Sequence, residues 1–249
     1  MNHRNKKLKT EHSVIYIGID DTDTLTSRGT GHLSRLVAAQ LAADHPLLGV
    51  TRHQLLVDPR VPYTAKNSSA AIHLGRNGHV DLDQLSHRVR ATMAKHFNPG
   101  SDPGLCVAQG VPPAVTAFGQ RTQRDVVTQA DARTLAADHG IRLVGLGGTE
   151  DGIIGALAAV GLAASGSDGR YVLVGRSREL SGLRPVADVL AAGIAQVRTL
   201  EGRPVSAGLV LTDKLRPARR GAQPVAVVQW CREPHADWTG GYWLPLKLD

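Results

Sequence analysis

Val14-Ile15-Tyr16-Ile17-Gly18-Ile19-Asp20-Asp21-Thr22-Asp23 decides how this chain is read. An apolar, β-branched run leads straight into three carboxylates within four residues, and Gly29-Thr30-Gly31-His32 then opens an amphipathic segment. That order predicts a strand, an acidic turn and a helix. Carboxylates so close together repel and raise each other's pKa unless a cation or hydrogen-bond donors offset them. A hard divalent ion suits such a cluster, because Mg2+ takes one or two carboxylates together with substrate phosphates. Asp20, Asp21 and Asp23 are therefore candidate metal ligands, with Asp21 and Asp23 on one side of a continuing strand and Asp20 on the other. The free N–H groups of the helix that follows make Gly29, Thr30 and Gly31 a candidate phosphate cradle. The plain alternative is a solvated turn, since Asp commonly ends strands and caps helices.

Working outward, 249 residues suffice for one large or two small domains. Aromatics make up only 4% of the chain, so the core must rest on Val, Leu, Ile and Ala. A net charge of +7 favours anionic partners such as nucleotides or nucleic acid. Part of that charge is a terminal tip carrying Arg4, Lys6, Lys7 and Lys9, which has no apolar stretch and so is no secretory signal. Cys106 and Cys231 stand alone, which excludes a disulfide framework and a zinc ribbon and points to a reducing, cytoplasmic setting. The most apolar segment, Ile153 to Ala164, is too short to span a bilayer and reads as a buried helix.

Helices are predicted from Leu33, from Asp81 to Asn98-Pro99-Gly100, from Thr128 to His139, from Ile153 and from Val186. Strands or extended stretches are predicted at Val50–Val57, Ala70–Leu74, Ile141–Gly145, Arg170–Gly175, Ala207–Leu211 and Pro224–Trp230, and Ser101-Asp102-Pro103-Gly104 is a turn before Leu105-Cys106-Val107. This is an α/β or α+β chain, with a boundary placed between Val107 and Asp125. A second glycine stretch, Gly147-Gly148-Thr149-Glu150-Asp151-Gly152, precedes the Ile153 helix. Its Gly148 and Gly152 either let backbone approach a phosphate or merely permit tight packing; no Walker Lys-Ser/Thr follows. Lys66 is either a counter-charge for phosphate or a surface lysine, and Asn67 either a ligand or a turn residue. His32 sits at a helix start, where it could contact or carry a phosphoryl group or simply pack. His53 and His73 read as packed strand residues. Arg176, Arg178, Arg184, Arg216, Arg219 and Arg220 form either an anion-binding face or a solvated one.

The strings Ile17 to Asp23, Gly29, Val61-Pro62-Tyr63, Asp102-Pro103-Gly104 and Gly152 to Gly161, in this order, resemble the archaeal tRNA-Ile agmatidine synthetase (TiaS) family. The resemblance covers Ile15 to Gly161 well and the next few dozen residues loosely. It implies a kinase-like α/β domain using ATP and Mg2+, placed at 13–110, followed by a ferredoxin-like domain at 111–249. It further implies catalytic roles for Asp21, Asp23, His32 and Lys66, and cofactor contacts from Gly29, Thr30, Gly31, Asn67, Gly148 and Gly152. The family's OB-fold and zinc ribbon are expected to be lacking. Its phosphorylated threonine aligns with His32, and its Pro-aromatic-Lys-Thr-Arg-Gly-Asn segment is here Pro62-Tyr63-Thr64-Ala65-Lys66-Asn67-Ser68. The expectation is an ATP- and Mg2+-dependent activating enzyme, kinase-like or ligase-like, with a small-molecule or RNA acceptor and no membrane association. The rival is a non-catalytic nucleotide-sensing or RNA-binding module.

Overall fold

The computed structural model describes residues 14–63, 66–76, 78–236 and 238–248. The basic N-terminal tip and Thr64-Ala65 lie outside the described residues. The chain forms two compact units that divide between Ser165 and Gly166.

In the first unit, β1 (Val14–Asp20), α1 (Thr30–Leu41), β2 (Leu47–Gln54), β3 (Ser68–Gly75), α2 (Leu82–Ala94) and β4 (Gly104–Gln109) follow one another. The strands lie in the order β4-β1-β3-β2 with every neighbour antiparallel. This is the split βαββαβ arrangement of ferredoxin-like folds. It occupies the N-terminal part of the chain, whereas the sequence placed a ferredoxin-like domain after residue 110. β5 (Arg142–Gly145) extends the sheet beyond β4. The mixed α/β class read from the sequence is the class the structure has.

Alternation along β1 gives the sheet two unlike faces. Leu33, Val37 and Leu41 of α1 and Leu85, Val89 and Met93 of α2 are buried. α2 starts where Asp81 accepts the N–H groups of Asp83 and Gln84, satisfying two donors that the helix leaves open. On the other face, Gly18 stands in register with Ala71 and Cys106. These small residues form a shallow trough beneath α5 (Gly152–Ser165), whose residues Ile153 and Ala156–Val160 are fully buried. A helix apolar all round must be covered on every side. α3 (Pro113–Arg121) supplies part of that cover through Val115 and Phe118, and α4 (Gln129–Asp138) through Ala132.

α3 occupies the stretch that the sequence offered as a domain boundary. Pro113 sits in the first turn of α3, where a missing N–H costs nothing. Gly119 and Gly161 let α3 and α5 touch: a Cβ on Gly161 would stand 2.1 Å from the Val115 carbonyl oxygen. With α3, α4 and α5 packed on the first sheet, the division falls at 165/166 rather than at 110/111.

The second unit is rich in strands: β6 (Arg170–Leu173), β7 (Leu183–Pro185), β8 (Gln196–Thr199), β9 (Leu209–Leu211), β10 (Ala218–Arg220), β11 (Gln223–Cys231) and β12 (Tyr242–Pro245). Its helix α6 (Val186–Ala191) is six residues long. β11 is the spine, antiparallel to β10 and β12 and parallel to β8. Val189, Val210 and Val228 are fully buried in its core. Of the arginines singled out in this unit, Arg176, Arg178 and Arg184 are exposed and Arg216 and Arg220 half-buried. Arg219 is buried, with its guanidinium donating to the Tyr171 hydroxyl at 2.6 Å, while Arg178, Arg184 and Arg216 donate to backbone carbonyls. Among the described residues no helix is long and apolar enough to cross a membrane.

The trough under α5 sets a testable limit. A Cβ on Gly18 would lie 1.9 Å from the Ala156 carbonyl oxygen, where only backbone movement gives relief. Gly18→Val is expected to cost more than about 2 kcal/mol. Chemical denaturation of both proteins measures it, and an unchanged midpoint would contradict the packing.

Candidate functional site

β1 delivers Asp20 and the turn behind it to the rim of a cleft of about 220 Å3. Asp21, Asp23 and Asp151 join Asp20 there, and Lys66 and Asn67 also belong to the lining. Leu56, Tyr63, Val126 and Ile154 make an apolar wall. Carboxylates and apolar side chains thus share the lining, which also includes Arg60 and Asp125.

The carboxylates are held by different means. Asp20 ends β1 and reaches under α5: a Cβ on Gly155 would fall 1.7 Å from its Oδ2, so a glycine is required where the helix passes. Burial pushes the Asp20 carboxyl up to about 7, the Asp21 N–H opposes this, and Asp21 and Asp23 add to it. Asp21 adopts a left-handed backbone conformation, φ 49°, rare for a residue with a side chain. Burial, then the charges of Asp102, Asp23 and Asp151, raise its carboxyl to about 6. Asp23 behaves differently. Its Oδ1 accepts the Thr30 N–H at 3.1 Å and the Thr30 hydroxyl at 2.9 Å, so a loop carboxylate caps α1. His32 N–H meanwhile donates to the Gly29 carbonyl at 2.7 Å. The helix start expected to cradle a phosphate already carries an anion of the protein's own.

Thr22 places its hydroxyl 3.3 Å from the Thr30 hydroxyl that donates to Asp23. It is buried, and its carbonyl accepts the Asn98 backbone N–H and Nδ2, tying the turn to the end of α2. Asn67 serves as a strap: its Nδ2 donates to the Leu56 carbonyl at 2.7 Å, and its own carbonyl accepts from Leu55 N–H and Gln54 Nε2. Lys66 is exposed at the cleft mouth. Gly152 lines the cleft, whereas Gly29, Gly31 and Gly148 do not. Of the two readings of the second glycine stretch, the structure displays tight packing. Gly148 (φ 62°) leaves room for Asp102, whose Oδ1 accepts the Thr149 N–H at 2.7 Å, and a Cβ on Gly152 would meet the Asp102 carbonyl oxygen at 2.3 Å. Glu150 is paired with Arg133, and Asp151 accepts from Gln129.

His32 is not brought into the cleft. It lines a separate groove with Arg28 and His96. His53 and His73 are buried, both within hydrogen-bonding distance of the Thr51 hydroxyl, as strand packing predicts. Burial pushes the Cys106 thiol up, away from thiolate chemistry.

Two residues escaped the sequence reading. Arg52 on β2 is partly buried and acts electrostatically on both Asp20 and Asp23, with its Nε donating to the Ser68 hydroxyl at 2.7 Å. Asp102, from the turn before β4, adds its charge to Asp21. Arg52 lies within an ordinary strand pattern, and only the pairing of β1, β3 and β2 reveals its neighbours. Asp102 did stand out in Asp102-Pro103-Gly104, but as a turn.

Among the described residues no three His, Cys, Asp or Glu side chains form a ready cage for a metal. The donor set does fit Mg2+, which needs only one or two hard carboxylates and completes its shell with water and phosphate oxygens. Asp20 and Asp21 fit that role best, because Asp23 is engaged at α1.

A mixed α/β unit with an acidic turn at the end of its first strand is the class of protein defined here. No family model matches the chain. It is similar to TiaS of Methanopyrus kandleri, a 2-agmatinylcytidine synthetase for an isoleucine tRNA, with 27% identity over 157 residues, 59% of this chain and 34% of that protein. The Acidilobus saccharovorans TiaS is 30% identical over 113 residues, 41% of this chain and 24% of that protein. The Pyrococcus horikoshii TiaS is 26% identical over 157 residues. Among solved structures, a complex of TiaS with its isoleucine tRNA and ATP matches with a TM-score of 0.53 and 24% identity over 60% of this chain and 36% of that one. A complex of TiaS with the same tRNA, AMPCPP and agmatine matches with a TM-score of 0.52 and 23% identity. The chain is TiaS-like, and it spans about a third or less of the length of these curated relatives.

The raised carboxyls predict a pH dependence with a definite sign. Asp20 and Asp21 hold their protons more tightly folded than unfolded, so their contribution is favourable below about pH 4 and is lost as pH rises toward 7. Asp20→Asn is therefore expected to be more stable than the parent at pH 7.5 without divalent cations, and to lose that advantage near pH 4. Melting temperatures across that range test it; a gap independent of pH would refute it. Asp23→Ala removes the cap on α1 and is expected to cost about 1 kcal/mol, read by denaturation at pH 7.

Proposed function

We propose that the cleft binds ATP with Mg2+ and uses it to activate an acceptor by phosphoryl or nucleotidyl transfer. The observation that carries this reading is the pair Asp20–Asp21, crowded and partly desolvated in a cleft that also presents apolar side chains. A nucleotide likewise combines anionic phosphates with the apolar faces of a base. Leu56, Tyr63, Val126 and Ile154 offer a surface for a base, and the carboxylates would hold the metal that accompanies the phosphates. When bound, Mg2+ supplies charge neutralisation of the phosphates.

The chain's own residues do the rest. Lys66 places a cation at the mouth, able to offset charge that develops on a transferring phosphoryl group. Arg52 opposes the mutual repulsion of Asp20 and Asp23 and keeps the turn compact in the absence of a metal. The apolar wall excludes water from the nucleotide's base. His32 has no part in this cleft, so catalysis is assigned to the cleft residues without it. The TiaS relatives support the reading, since TiaS has been solved with ATP and with an ATP analogue. The acceptor is a small molecule or an RNA.

A second reading, a nucleotide-sensing or RNA-binding module without turnover, is favoured by the distribution of charge. Residues 166–249 carry 12 Lys and Arg against 8 Asp and Glu, while 14–165 are balanced at 13 each.

Calorimetric titration with ATP decides the first point. Binding is expected with Mg2+, and at least about tenfold weaker in Asp21→Asn or in EDTA. Equal affinity in all three would remove Asp21 and the metal from the site. Phosphate or pyrophosphate release above background then favours an enzyme; RNA binding without release, falling steeply with salt, favours the module.

A further inference from the structure

The acidic turn has a second side. Asp21 and Asp23 line the cleft, but Thr22, between them, lines a different groove of about 590 Å3. That groove contains Arg28, His32 and His96 and no carboxylate. We infer that it is a binding site for a phosphate group, held by Arg28, His32 and His96.

Residues far apart in sequence converge here. Arg28 comes from the loop before α1, His32 from the first turn of α1, and His96 from the end of α2. Arg28 Nη1 lies 3.5 Å from His32 Nε2, so the guanidinium and the ring stand side by side. Partial desolvation, then the charges of Arg28, Arg35 and His96, hold the His32 ring below its ordinary pKa. Residues 14–165 carry 13 Lys and Arg against 13 Asp and Glu, and within the groove the Arg28 charge meets no carboxylate. Arg35 donates to the Gly31 carbonyl at 2.7 Å, which leaves Arg28, His32 and His96 as the groups facing the groove. The Thr26 hydroxyl adds a neutral donor.

This set suits phosphate. Its oxygens accept from several directions at once, and a guanidinium can offer two parallel N–H bonds to them. A divalent cation would be repelled by Arg28, and an apolar ligand would strand the charged rim. The site does not depend on the nucleotide reading of the cleft, because it needs no metal.

The experiment is calorimetric titration of the full chain with sodium pyrophosphate in EDTA, where Mg2+-dependent binding in the cleft is silent. The Arg28→Gln/His96→Gln double variant changes only exposed side chains and should fold normally. Its affinity is expected to fall at least about tenfold. Arg88→Gln removes a charge elsewhere on the unit and should bind as the parent does. AMP and a short single-stranded RNA without terminal phosphates then compete for the site. Displacement by AMP assigns the groove to a nucleotide's phosphate, and displacement by RNA assigns it to a backbone phosphate. Parental affinity in the double variant, an equal loss in Arg88→Gln, or displacement by neither competitor would overturn the inference.

Discussion

The structure depends on how closely α5 lies against the first sheet. Gly18, Gly104, Gly152 and Gly155 each stand where a Cβ would strike backbone or a carboxylate within 2.3 Å. An apolar helix pressed this near gains dispersion contacts along its length and excludes water beneath it. The same closeness shapes the cleft. It traps Asp20 under the helix and fixes Asp102 against Gly148 and Gly152. Packing and site are consequences of one contact.

Exclusion of water then sets the electrostatics. Carboxylates that would be ordinary in solvent become reluctant to ionise beside α5, and their mutual repulsion adds to the burial. The protein relieves this in part with its own donors. Asp23 is drawn to the start of α1, Arg52 approaches from β2, and Asp102 supplies a backbone N–H to Asp21. Asp20 and Asp21 retain the strain, which is the condition under which a cation binds with gain. Arg28 and the two histidines of the neighbouring groove lie on the other side of the same turn, so one short loop separates an acidic cleft from a groove without carboxylates.

Much of this was legible in the chain, and the reasons differ by element. β1 and α1 were readable because alternation and helical spacing are local properties. α2 declared its start through Asp81, and α4 through Thr128, whose hydroxyl accepts from Asp131 N–H in a capping box. α3 was not read as a helix, and its stretch fell inside the region offered as a domain boundary, because its packing against α5 is a contact between segments distant in sequence. In the second unit β6, β9 and β11 were read, whereas β7, β8, β10 and β12 were not, since three or four residues carry no period. The acidic cluster was visible, but its division of labour was not. Asp23 as a cap, Asp21 in a left-handed turn and His32 in another groove each depend on where distant residues arrive.

By itself, then, the sequence determined the mixed α/β class, the acidic strand end and the buried helix after Gly152, because each follows from the local order of apolar, charged and small residues. Tertiary structure alone decided the split βαββαβ strand order, the division at residue 165, and the company of each carboxylate. Those features arise from contacts between segments far apart in the chain, such as Gly18 against Ala156, and no local pattern encodes a partner at that distance.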